Sequence, residues 1–383
     1  MQRLAYTIHQ LYANLLERLL AIEASRSTAH LNGSFVTREV KGRLYHYYHF
    51  RSLQGPVQQL YLGPDSKEMR RAIERIRKEH KVYLQDVQDR EKLCAALIAG
   101  GAMSVPAAYA RVLHAFADAG LFRSGMVLIG THAFAAMGNM LGVRWTEFTS
   151  TDDIDFAYDS DIDVAFAMPP GDIEEVPTIL DSIDAGFLPI PELDSRKPST
   201  SFISKRNKEV KIDFLIPRFR QDQNDIVFLP HINTAASSLN YLDYLLEEKE
   251  KTVLLSARGV LVNIPTPSRY ARHQLIVSEE RRGRSPAKSR KDLAQSAQLA
   301  EVLLQDNPGG LRLSWEALSA RGKGWVTKAE ASITRMTTTN PEIARQLCDL
   351  LGIKIETPPP APLPAGSSRR AGRNSLQKPA GKK

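Results

Sequence analysis

One stretch constrains the fold more than any other. The apolar run at 125–130, GMVLIG, has the length of a buried strand, turns at a glycine into the helix-like THAFAAMGNML, and is followed by Asp-Ile-Asp at 153–155. Alternation along a strand puts Asp153 and Asp155 on one face while Ile154 and Phe156 point into a core. Two aligned carboxylates repel unless something positive sits between them. The usual solution is a divalent ion with oxygen ligands, Mg2+ or Mn2+, which keeps waters and accepts phosphate oxygens.

A two-metal site needs a third carboxylate, and the segment VKIDFLIP supplies one: Asp213 lies in the middle of an apolar strand, where an isolated buried charge is costly and calls for a metal or an adjacent positive group. Upstream, Gly130 sits at the strand-to-helix turn, where a glycine lets backbone N–H groups approach a phosphate at the positive helix end. Thr131 is positioned to cap that helix and to touch the same phosphate. A competing pair, Asp161 and Asp163 in DSDIDVAF, has the same alternation. Asp153 and Asp155 are preferred because they come first after the helix, and the second pair is read as a partly exposed strand face.

Charge is segregated along the chain. Of the formal +8, most comes from the tail at 357–383, which holds six Lys/Arg and no acid, so global charge says little. Residues 145–194, by contrast, hold fourteen Asp/Glu and no Lys/Arg, and residues 269–291 hold eight Lys/Arg against Glu279 and Glu280. An acidic centre facing a basic segment suits a divalent metal plus phosphate. Lys288, Lys291 and Asp292 fall at helical spacings of three and four, so they share a face that could meet a triphosphate. Arg272 and His273 are secondary candidates, and His132 beside the glycine turn is read as structural. His46 and His49 lack partners at a zinc spacing, and Cys94 and Cys348 read as buried thiols rather than a disulfide. No apolar run approaches the roughly 20 residues that span a bilayer, and the amphipathic N-terminus is unlike a signal peptide. The expectation is a cytoplasmic protein.

Leu4, Ile8, Leu11, Leu15 and Leu19 predict an amphipathic helix. The alternating, aromatic stretch from Gly33 to Pro64, with turns at Lys41-Gly42 and Gln54-Gly55-Pro56, predicts a small antiparallel sheet. Its Arg38, Lys41, Arg43, Tyr45, Tyr47, His49, Arg51 and Tyr61 form either a surface for stacking nucleic acid or a plain aromatic-rich sheet packed on helices. Asp65 with Glu68 resembles a capping box for a long charged helix over 66–99. A helix over 105–119, strands near Ile129, Ile154 and Ile162, a helix over 176–184 and a hairpin about the turn at 205–209 make a central unit ending near Pro230. From Leu239 the pattern is mostly helical, with one short strand at 260–264.

A strand, a glycine turn, a helix, Asp-x-Asp and a later strand Asp is the arrangement of the nucleotidyltransferases related to DNA polymerase beta, and the sequence resembles that superfamily. VLIGTHAFAAMGNMLGVRW, TDDIDFA, KIDFL, PSRYARHQLIVSEERR and KSRKDLAQSAQLAEVLL together look like a family of bacterial nucleotidyltransferase-fold proteins that also begins with a helix and a VKGRLYHYYHF…YLGP sheet. The likeness extends to about Leu351. It implies an α+β fold: a polymerase-beta-like core of mixed sheet with helices, preceded by an N-terminal helix and small β-sheet region and followed by a C-terminal helical domain. The expected division is 1–100 for the N-terminal region, 101–235 for the catalytic core and 236–356 for the helical domain, while 357–383, Pro-rich and then basic with nothing to bury, is expected to be a disordered basic tail.

Residue by residue, the resemblance puts Gly130 and Thr131 at the glycine turn, Asp153 and Asp155 at the metal pair and Asp213 at the third carboxylate. Lys288 and Lys291 fall where related enzymes hold the nucleotide or brace the core. Two departures stand out: Thr131 replaces the usual Gly or Ser, and the interval from Gly130 to Asp153 is longer than the common pattern. The expected activity is metal-dependent transfer of a nucleoside monophosphate from an NTP such as ATP to the hydroxyl of an RNA such as tRNA, a protein or a small molecule. Two rival expectations are a nucleic-acid-binding protein on an inactive transferase scaffold, and a toxin or phage-defence transferase that modifies tRNA or protein.

Overall fold

The computed structural model describes residues 1–24, 33–51, 57–147, 153–158, 174–183, 186–192, 194, 197–206, 208, 210–218 and 225–354. Asp161, Asp163, the run around Ile162 and the basic tail lie outside the described residues.

After a two-residue strand β1 (Gln2–Arg3), helix α1 (Tyr6–Ala24) buries Tyr12, Leu15 and Leu19, the inward side of the expected apolar stripe. Three antiparallel strands follow in the order β2 (Gly33–Val40), β3 (Arg43–Arg51), β4 (Val57–Pro64). Lys41 and Gly42 both adopt left-handed backbone between the first two, as a two-residue hairpin requires. Helix α2 (Lys67–Ala99) then runs unbroken for 33 residues. Its cap corrects the expected Asp65–Glu68 box: Ser66, in extended conformation, accepts from Met69 N at 3.0 Å. Asp65 is drawn into the sheet instead, where it bonds the His46 ring at 2.8 Å and Arg70 at 3.0 Å. The far end of α2 places Cys94 and Leu97 in a small core with α1, Val253 and Leu255.

Helix α3 (Ala107–Asp118) leads to β5 (Val127–Ile129), α4 (Gly130–Met140) and β6 (Val143–Arg144), which pairs with β1. There follow β7 (Asp153–Ala157), α5 (Val176–Ser182), β8 (Phe187–Pro189), β9 (Ser201–Ser204), β10 (Lys211–Pro217), β11 (Ile226–Leu229) and β12 (Thr234–Leu239). They form a mixed seven-stranded sheet in the order β11-β12-β10-β7-β5, with β8 and β9 added at β10. Strand β10 pairs with β7 along one edge; its other edge is shared, β9 against Lys211 to Asp213 and β12 against Leu215 to Pro217. Ile154, Phe156, Ile212 and Phe214 are buried on one side, and Phe116 of α3 packs on Phe156 with ring centroids 4.9 Å apart.

Helix α6 (Leu242–Leu246) and a hairpin, β13 (Lys249–Leu254) with β14 (Val260–Pro265), link the sheet to five helices: α7 (Pro267–Glu280), α8 (Pro286–Asp306), α9 (Pro308–Ala320), α10 (Lys323–Thr339) and α11 (Pro341–Leu351). One apolar core runs continuously from Tyr109 to Cys348, so sheet and helices share an interior. The fold is α+β, as expected. Strands β11, β12 and β13 were not legible: TAASSL and KEKTVL lack an apolar period of two and become strands through their partners. Cys94 and Cys348 are buried free thiols. Among the described residues no helix is long and apolar enough to cross a membrane.

Candidate active site

The site is built on two neighbouring parallel strands. Pairing of β7 with β10 sets Lys211 beside Asp153 and Asp213 beside Asp155, and strand alternation turns all four side chains to the face opposite the buried Ile154 and Ile212. Ile129 of β5 pairs with Asp155 from the other side. The next residue, Gly130, has φ +65°, and a Cβ built on it would overlap Asp155 Oδ2 and stand 3.2 Å from its Cγ. Both backbone sign and space therefore demand glycine there.

Electrostatics follow from this crowding. Burial, then the charges of Asp213 and Asp153, push the Asp155 carboxyl up to about 7, against the opposing pull of Arg281 and Lys211. Asp213 is better compensated: Ser201 Oγ donates to its Oδ1, and the Lys211 ammonium lies 2.9 Å from both carboxylate oxygens. Burial works to lower Lys211, but the bond to Asp213 and the charges of the three aspartates outweigh it and hold the ammonium above its ordinary value.

These groups open into a cleft of about 500 Å³ whose far wall comes from α7 and α8. Lys288 and Lys291 line that wall, so the expected basic face does meet the acidic strand face across open space. Burial depresses the Lys291 ammonium, while Asp292 and Asp155 act to raise it. Asp292 is buried and accepts from Arg281 at 2.9 Å. Tyr270, fully buried, donates to the carbonyl of Gly130 at 2.9 Å and so ties α7 to the turn that opens α4. Gln274 and His273 also reach the cleft, and among the described residues the buried Gln274 Oε1 and His273 Nδ1 find no hydrogen-bond partner. Burial lowers His273 to about 3, so its ring is neutral.

Gly130 and Thr131 line the cleft at the start of α4, where N–H groups and the helix dipole favour an anion. The capping role expected of Thr131 is corrected: Ile129 is the N-cap and makes no side-chain cap bond, and Thr131 already lies within the first turn. His132 packs on Tyr109 at 4.9 Å, buried and lowered to about 4 by burial and then Lys291, a core imidazole as expected. Arg272 is fully buried away from the cleft, donating to Leu311 O and lying over the Trp315 ring. His46 and His49 bond Asp65 and Gln59.

Lys211, Ser201, Tyr270 and Arg281 were missed from the sequence. Lys211 had a signal, since it stands two residues before Asp213 in the same strand; Tyr270 had none, being one more ring on an amphipathic helix. Among the described residues no three His, Cys, Asp or Glu side chains form a group that could hold a metal ion, and Asp213 is turned to Ser201 and Lys211. What does fit a divalent cation is the pair Asp153 and Asp155: burial, and then the charges of Asp213 and Asp153, raise Asp155, and the two carboxylates need take up only part of an octahedral shell, the rest being water and phosphate.

Residues 107–319, more than half of the chain and including every cleft residue named above, match the sequence model of a family described as nucleotidyltransferase. No curated protein and no solved structure matches the chain.

Proposed function

The chain belongs to the nucleotidyltransferase family, and on that premise we propose that it transfers a nucleoside monophosphate from an NTP to an acceptor hydroxyl with release of pyrophosphate, in a reaction dependent on Mg2+ or Mn2+. The observation that carries this reading is the meeting in one cleft of three aspartates, the glycine turn of α4 and two lysines of α8. Asp153 and Asp155 would hold the cation. When bound, the ion neutralises the triphosphate and orients its α-phosphorus for in-line attack.

The amides that open α4 at Gly130 and Thr131 bind phosphate oxygens, and Lys288 and Lys291 take the outer phosphates. Asp213 receives the proton of the attacking hydroxyl at a carboxylate oxygen; the acceptor oxygen bonds to the α-phosphorus, and the bond to pyrophosphate breaks. This requires Lys211 to release Asp213, and the incoming triphosphate is the anion that draws it off. RNA, protein and small molecules are the acceptor classes in play, and the cytoplasm is the compartment this reading assumes.

The test is incubation of the purified protein with each α-labelled NTP, Mg2+ or Mn2+ and a total RNA and protein extract, beside the Asp153→Ala/Asp155→Ala double variant. Label entering a macromolecule only with the wild type supports the reading; transfer retained by the folded double variant sinks it. A second reading, an inactive transferase scaffold, is favoured by one observation: Asp213 is held by Ser201 and Lys211. It predicts NTP binding without turnover under any divalent ion.

A further inference from the structure

The small sheet at the N-terminus has two unlike faces. Pairing sets Tyr45 opposite Arg38, and Tyr47 opposite Val36 on one side and Tyr61 on the other, so these side chains share one face. The Tyr47 and Tyr61 rings lie 5.5 Å apart, Tyr45 and Tyr61 6.2 Å, and the Arg38 guanidinium stands 5.6 Å over Tyr47. The opposite face, with Tyr48 and Phe35, turns to α2, whose Arg77 lies over the Phe35 ring. Only that second face is needed for packing. The tyrosine face is open, with Tyr61 54% exposed and Arg38 and Arg43 exposed beside it.

We propose that this tyrosine face is a docking surface for single-stranded nucleic acid, with bases stacking on Tyr45, Tyr47 and Tyr61 and phosphates met by Arg38 and Arg43. The half-buried Tyr45 and Tyr47 are tilted 43° and 55° to the exposed Tyr61, and these rings with a guanidinium among them offer unpaired bases separate π-faces of tolerant sequence preference. Charge is complementary: between Gly33 and Lys81 the chain carries eleven Lys/Arg against five Asp/Glu. Position argues for a polymer rather than a nucleotide. The sheet sits on the first half of α2, where Met69 faces Gly63 and Arg77 lies over Phe35, and α2 joins the body through Cys94 and Leu97, about 26 to 30 Å beyond Arg77 at 1.5 Å per residue. The inference goes beyond the transfer reaction and stands whether or not the cleft turns over NTP.

The experiment is fluorescence anisotropy of labelled uridine and deoxythymidine oligomers of about 12 nucleotides with the full chain and no NTP, beside an abasic oligomer of the same length. The expected result is salt-sensitive binding of the base-bearing strands at least tenfold tighter than the abasic one. Tyr47→Ala/Tyr61→Ala should lose tenfold or more, and Tyr47→Phe/Tyr61→Phe should bind like the wild type. Arg38→Ala should weaken every strand and flatten the salt dependence. Equal binding of the abasic oligomer would overturn the proposal in favour of a general polyanion site such as one for an acidic protein or the basic tail acting alone. Wild-type affinity in the alanine double variant, or no binding at low salt, would overturn it as well.

Discussion

The carboxylate of Asp155 fills the space where a Cβ on Gly130 would stand, so that the strand acid and the first residue of α4 meet where a single methyl group would not fit. The acid face and the anion-binding helix end are thereby one construction.

Gly130→Ala should therefore do more damage than an ordinary left-handed glycine replacement. Gly352 has φ +67° and open space within 4 Å of where a Cβ would stand, so Gly352→Ala isolates the backbone cost, about 1 kcal/mol. Gly130→Ala adds the clash and should cost roughly 3 kcal/mol or more in chemical denaturation, partly recovered in Gly130→Ala/Asp155→Ala.

Stability of the metal-free protein should fall as pH rises through the range where Asp155 ionises. Its folded value of about 7 lies above that of an unfolded aspartate, so the neutral form is favoured in the fold and the penalty grows between about pH 4 and pH 7, then stays. Thermal melts should find Asp155→Asn more stable than the wild type at pH 8 by a few kcal/mol and nearly equal to it at pH 4, and Mg2+ should narrow the gap at pH 8.

Lys211 acts as the local counter-charge of the acid face. Lys211→Met should lower metal-free stability by roughly 1–2 kcal/mol, since half-buried carboxylates lose their ammonium partner. The same variant should gain more from Mg2+ or Mn2+ than the wild type does. An unchanged melt, with and without the ions, would remove Lys211 from this role.

Lys288 and Lys291 face the acids across the cleft. Lys288→Ala and Lys291→Ala should each weaken NTP binding about tenfold, the worth of one charge-assisted contact to phosphate, when measured by calorimetry at fixed Mg2+. Arg290, exposed on the same helix and absent from the cleft lining, provides the control: Arg290→Ala should bind as the wild type.

The acid face was readable because strand alternation is a local rule: once β7 and β10 are strands, Asp153, Asp155 and Asp213 must turn to the side away from Ile154 and Ile212. The cost of burying Asp213 called for a metal or an adjacent positive group, and strand alternation pointed to Lys211, two residues earlier, as that group. Ser66 and Asp65 are both good caps, and the pull of His46 and Arg70 on Asp65 decides between them. The bond from Tyr270 to Gly130 spans 140 residues and left no trace in either neighbourhood.

Strand β10 takes its neighbours from three places, β7 before it, β9 just ahead and β12 after it. Such a strand has no settled position until pairings of long sequence separation have closed, and loops of that length close slowly. Asp213 meets Asp155 only through the pairing of β10 with β7, which closes 58 residues of chain. The cleft is a product of the finished tertiary structure: its walls come from β5, β7, β10, α7 and α8, and no one of these segments carries it alone.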